Sequence, residues 1–125
     1  MPVSDLSPPI QPPTEGLSDA EYHRLSAELL ACVESQLDRW LEDDVVDIDA
    51  QRTGGLLELV FPDRSRIVIN TQPPLHEIWL ASRAGGFHYR HRAGKWVDTR
   101  DGSEFLEVLS REASQQAGLP LRFSA

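Results

Sequence analysis

The sequence holds one cysteine, Cys32, in 125 residues. That is too few for an internal disulfide framework or for a Cys-rich zinc or iron–sulfur site. No apolar run approaches the roughly 18 residues of a membrane-spanning helix. No apolar stretch of about 7–15 residues follows Met1, and no basic residue precedes Arg24, so neither a secretory signal nor a transit peptide is expected. The expected address is the cytoplasm, with no membrane partner. EF-hand spacing, H-E-x-x-H, a phosphate-binding glycine loop and a Ser–His–Asp order are all missing. A paired acid/base dyad is missing too, so the chain reads as a non-enzyme.

Basic residues are scarce in the first half. Residues 1–50 carry 12 acids and two bases, a net of −10, whereas residues 51–125 carry 8 acids and 10 bases, a net of +2. An acidic front half repels phosphate and excludes nucleic acid as a direct partner. It favours cations or a basic protein surface.

Residues 1–16 contain five prolines and no periodicity, and read as a disordered or polyproline-like tail. Residues 17–125 read as one domain. Ser18 and Glu21 have capping-box spacing, and Leu17 with Tyr22 fits a hydrophobic staple. Tyr22, Leu25, Leu29, Leu30, Val33, Leu37, Trp40 and Leu41 then recur at helical steps, predicting an amphipathic helix over about 18–42. Val46, Ile48 and Ala50 alternate with Asp47, Asp49 and Gln51 as a half-buried first strand. Five further short strands follow, LLELVF, SRIVINTQ, EIWLAS, FHYRHR and KWVDTR, with turns at Gly54-Gly55, Pro62-Asp63, Pro73-Pro74, Gly85-Gly86 and Ala93-Gly94. A second helix is predicted over about 103–117, ended by Gly118 and Pro120. The fold class is α+β: helix, six antiparallel strands, helix, with both helices on one face of the sheet as a two-layer sandwich.

The first helix places its charge badly. Asp38, Glu42, Asp43 and Asp44 crowd the C-terminal end, where the macrodipole is already negative. Glu34, Asp38 and Glu42 are spaced i, i+4, i+8 and repel along one edge. Asp47 and Asp49 follow on one face of the next strand. Two unit charges about 6 Å apart in water repel by roughly 0.7 kcal/mol, so seven such carboxylates oppose local stability. One explanation is a solvated acidic face. The other is a weak, open site for hard cations, since carboxylate oxygens suit iron, manganese, calcium or magnesium. Asp19 and His23, an i, i+4 pair, are candidates for a nitrogen-containing addition. His76, His88 and His91 show no ligand spacing and read as surface histidines, and Cys32 reads as a partly buried core residue. On the sheet face away from the helices, Trp79 is expected to face solvent near Asn70 and Gln72, a composition suited to protein contact.

The stretch Asn70-Thr71-Gln72-Pro73-Pro74-Leu75-His76-Glu77-Ile78-Trp79-Leu80-Ala81-Ser82, followed by Gly85-Gly86-Phe87-His88-Tyr89, resembles the signature of the frataxin family in its bacterial, CyaY-type form. Tyr22-His23-Arg24-Leu25, Gly54-Gly55 and Gln115-Gln116-Ala117-Gly118 also fit, so the likeness spans about residues 17–123. Ser35, Arg39 and Leu41 depart from it, standing where many bacterial relatives have acids. The resemblance implies a frataxin-like fold and a protein that binds ferrous or ferric iron weakly in iron–sulfur cluster assembly. It implies a cysteine desulfurase and the scaffold protein as partners, and a monomer in the absence of metal. It places an acidic ridge at Glu34, Asp38, Asp43, Asp47 and Asp49, with Glu42 and Asp44 in the connecting turn. It places partner contacts at Asn70, Gln72 and Trp79. The competing expectation is an acidic interaction protein that modulates a basic partner without metal.

Overall fold

The computed structural model describes residues 16–125. Residues 1–15, nearly all of the expected Pro-rich tail, lie outside them. The order is α1 (Asp19–Glu42), β1 (Asp49–Thr53), β2 (Leu56–Val60), β3 (Arg66–Gln72), a 3-10 turn (Pro73–Leu75), β4 (Glu77–Ser82), β5 (Gly85–Arg92), β6 (Lys95–Asp98) and α2 (Phe105–Ala117). The six strands form one antiparallel sheet in chain order. Short turns permit nothing else, because a parallel crossover needs a dozen or more residues.

Period-two alternation sets which side is buried. Leu57, Leu59, Ile67, Ile69, Ile78 and Leu80 point into one core with Tyr22, Val33 and Leu37 of α1 and Phe105, Leu109 and Ala113 of α2. Both helices therefore cover the same face, as the stripes require. Each fully buried Leu or Ile contributes on the order of 1.5–3 kcal/mol relative to exposure.

α1 begins where the capping box predicts. The Ser18 hydroxyl accepts from the Glu21 N–H at 3.0 Å, and the Glu21 carboxylate accepts from the Ser18 N–H at 3.1 Å. α2 begins two residues later than the periodicity suggests. The Glu104 carboxylate acts as its cap, accepting from Leu106 and Glu107 N–H groups. Beyond α2 the chain lies along both helices. Ser110 and Ser114 hydroxyls accept from the Phe123 and Leu121 N–H groups, and Phe123 packs edge-on against Trp40 at 4.8 Å.

Two strand expectations need correction. The ladder of β1 starts at Asp49, and all five of its residues are exposed. The inward-facing Val46 and Ile48 precede it, because β1 is the sheet edge and the helices cover the central strands. The turn between β4 and β5 is Arg83–Ala84; Gly85 and Gly86 already pair with Ser82 and Ala81. Gly54-Gly55 is a true hairpin turn, and any side chain at Gly55 would force Thr71 to shift, since a Cβ there would sit 2.0 Å from the Thr71 hydroxyl oxygen.

Candidate functional site

The acidic ridge is built by the exit of α1. Asp43 is the C-cap, Asp44 takes the left-handed conformation with φ 59°, and the Val45 and Asp44 N–H groups donate to the Trp40 and Leu41 carbonyls. This is the Schellman pattern, which glycine usually completes. Here an aspartate completes it, so a third cost, a left-handed non-glycine residue, adds to like-charge repulsion and the adverse dipole. Asp47 and Asp49 project outward on either side of buried Ile48.

Glu34 stands apart from this group. Arg52 of β1 donates to its carboxylate at 2.9 Å, tying the helix to the edge strand. Asp38, Glu42, Asp43, Asp44, Asp47 and Asp49 are exposed and make no salt bridge among the described residues. Even Arg39 in their midst pairs with none of them. The donors are all hard oxygens, which fits iron, manganese, calcium or magnesium and excludes thiolate-seeking metals. Among the described residues no three His, Cys, Asp or Glu side chains come together as an enclosed metal cluster.

Asp19 and His23 do not pair. Asp19 holds the imidazole of His76 at 2.7 Å instead, and His76 stacks on Tyr22 with ring centroids 4.9 Å apart. The cause is the 3-10 turn, which ends with His76 in the left-handed region (φ 52°) and delivers its ring to the helix. His23 meets Tyr22 edge-on. Asp19 and the ridge sit at opposite ends of a 24-residue helix, about 36 Å apart at 1.5 Å per residue, so they cannot share an ion.

Tyr22 joins this end of α1 to the sheet. Its hydroxyl donates to the Glu77 carbonyl at 2.6 Å and accepts from the Gln72 N–H at 3.0 Å, spanning the gap that Pro73-Pro74 opens between β3 and β4. Burial pushes its phenol above the usual range.

On the outer face Trp79 lies opposite Asn70, and Gln72 opposite Glu77. Trp79 is half-buried, where the alternation alone predicts a solvent-facing ring. His88 stacks on it at 4.2 Å, nearly parallel. Its indole N–H donates to Glu77 Oε1 at 2.8 Å, and Arg90 Nε donates to Oε2 of the same carboxylate at 2.9 Å. Glu77 is only 5% exposed. Sequence reasoning missed Glu77, His88 and Arg90 as parts of this face and read His76 and His88 as unattached surface histidines. The signal was present in strand parity, which puts Glu77 and Trp79 on one side, but the β4–β5 register that adds His88 and Arg90 is not local.

Residues 15–119 match the family model for the Frataxin-like domain. The iron-sulfur cluster assembly protein CyaY of Polaromonas is 51% identical over 109 residues, covering 87% of this chain and 94% of that protein. The protein of the same name from Delftia acidovorans is 53% identical over 111 residues, covering 87% and 99%. Frataxin from Psychromonas ingrahamii superposes with a TM-score of 0.77 at 35% identity, covering 87% of this chain and all of that one. Trimeric frataxin from Saccharomyces cerevisiae, complexed with ferrous, superposes at 0.64 with 28% identity, covering 74% and 85%.

Proposed function

The chain belongs to the frataxin family, and on that premise we propose that it serves iron–sulfur cluster assembly in the cytoplasm without being a catalyst itself. It carries ferrous or ferric iron weakly as cargo, and it donates that iron or regulates the cysteine desulfurase. One observation carries this reading: six exposed carboxylates lie at the C-terminal end of α1 and the approach to β1 with no basic partner among the described residues. An arriving cation or basic protein surface relieves their repulsion. The relatives named as iron–sulfur cluster assembly proteins and the neighbour complexed with ferrous support the same assignment. The outer face of Asn70, Gln72 and Trp79 supplies contact with the scaffold protein. Residues 17–125 act as a single domain, monomeric without metal.

A second reading starts from the same exposed carboxylates: an acidic surface that modulates a basic partner without metal. Titration with ferrous iron under anaerobic conditions separates the two. Iron carriage predicts a raised melting temperature, since a ligand of the folded state stabilises it. It also predicts NMR shifts confined to Glu34–Asp49. Unchanged spectra alongside intact desulfurase binding favour the second reading. Asp38→Lys with Asp47→Lys, tested in desulfurase-coupled cluster assembly, checks that the ridge is the site under either.

A further inference from the structure

A groove of about 340 Å³ lies between the 3-10 turn and the β5–β6 hairpin, at the end of the sheet remote from the acidic ridge. Its apolar lining is Leu17, Pro74 and Leu75, and its cationic lining is Arg90 and Arg92, with His76 and His91 between them. Leu75 is 49% exposed, one of four large apolar side chains left open among the described residues. Among the described residues no carboxylate lines the groove. Arg92 sits directly opposite Lys95 in the β5–β6 register, and like charges in that position are destabilising. Among the described residues neither has a carboxylate within salt-bridge reach. In a chain of net charge −8, this is an uncompensated positive patch. Burial, and after it the nearby Arg24 guanidinium, lowers the pKa of His91. The nearby acids are already engaged: Asp19 with His76, Glu28 with Arg24, and Glu77 with Arg90 and Trp79.

Glu77 makes the groove continuous with the Trp79 face, because one buried carboxylate orients both the indole and the Arg90 guanidinium. The outer face is thus electrically polarised, with Asp49 at the β1 edge and Arg92 and Lys95 at the β6 edge.

We propose that this groove docks an acidic protein segment with an apolar anchor, in which leucine-like side chains seat on Pro74 and Leu75 and flanking carboxylates meet Arg90, Arg92 and Lys95. This deepens the function proposed above and rests on it in one respect: the segment belongs to the partner that sits on Trp79. A phosphodiester chain has no apolar side chain to seat on Leu75. The polarised face then fixes the partner's orientation, since a reversed approach sets acid against acid at one edge and base against base at the other.

The test uses the full chain and two fluorescein-labelled synthetic peptides. One has a Leu-Leu pair flanked by glutamates, and the other replaces each glutamate by lysine. The expected result is salt-sensitive binding of the acidic peptide alone, with amide shifts at Leu75, His76, Arg90–Arg92 and Lys95. Arg92→Glu with Lys95→Glu weakens it about tenfold, and Leu75→Ser weakens it severalfold. Circular dichroism of the variants checks that they fold, and the wild-type shift map stands without them. Shifts that fall elsewhere, unchanged affinity in a folded charge-reversed variant, or equal binding of the lysine peptide overturn the proposal. So does deletion of residues 1–15 that alone reproduces the shifts, which gives the groove to the chain's own leading segment. Cluster assembly by Trp79→Ala reports on the face separately. Peptide binding together with unaffected assembly keeps the groove and discards the face, and the reverse pattern discards the groove.

Discussion

The two ends of α1 are built on opposite principles. At the N-terminal end, Ser18 and Glu21 satisfy each other's backbone, Asp19 holds His76, Arg24 pairs with Glu28, and Tyr22 rivets the helix to two strands. Its acids also sit where the dipole welcomes them. At the C-terminal end, Asp38, Glu42, Asp43 and Asp44 face the adverse dipole without salt-bridge partners among the described residues. The comparison teaches that the helix divides its work. One terminus contributes stability, and the other gives some up to keep negative charge in the open.

The largest expected effect comes from the first end. Tyr22→Phe strands a buried carbonyl and a backbone N–H and is expected to cost about 2–3 kcal/mol in urea unfolding. A loss under about 0.5 kcal/mol would show that the rivet is ornamental. Ser18→Ala removes half of the capping box and is expected to cost about 1 kcal/mol by the same measurement. The second end should respond with the opposite sign. Asp44→Gly is expected to raise stability by about 0.5–1 kcal/mol, because glycine takes the left-handed position without strain. Asp38→Asn should gain a few tenths of a kcal/mol at low ionic strength, a gain that shrinks toward zero near 0.5 M salt as the Debye length falls below about 5 Å. A stability loss from either substitution would erase the contrast.

Acid sharpens it further. Hydrogen bonds from the Ser18 N–H and hydroxyl hold Glu21 below the usual carboxylate range. Bonds from the Ser65 hydroxyl and N–H, then from Arg83, hold Asp63 down to about 2. A lowered folded-state pKa contributes stability that is complete above the unfolded value and is lost as pH falls through the folded one. The melting temperature is therefore expected to drop between about pH 4 and pH 2. Ser65→Ala should flatten the lower part of that drop.

Local pattern was enough for much of this. The 3–4-residue steps from Tyr22 to Trp40 delimit α1 nearly to the residue, and the Ser18–Glu21 spacing locates its cap. Chain order of the strands follows from turns too short for anything but hairpins. Where the reasoning failed, the deciding contact was distant in sequence. Asp19 lies four residues from His23 but bonds to His76, 57 residues away, because a 3-10 turn swings that ring onto Tyr22. Glu34 has a partner that no local pattern announces, because only the pairing of β1 brings Arg52 beside it. The glycines at 85 and 86 carry a turn signal, yet the register of β4 with β5 draws them into the ladder. The ridge itself was legible because crowded charge is a property of composition and needs no partner to be seen.

The C-terminal segment carries a practical consequence. Ser110 and Ser114 moor it to α2, and the thiol of Cys32 on α1 lies 3.5 Å from the Ser124 carbonyl oxygen. A maleimide dye placed on that lone thiol would wedge beneath the chain end and lever Phe123 away from Trp40. Fluorophores and affinity handles at either spot would perturb the very thermal baseline they were meant to report, so labels for binding work belong away from the chain end.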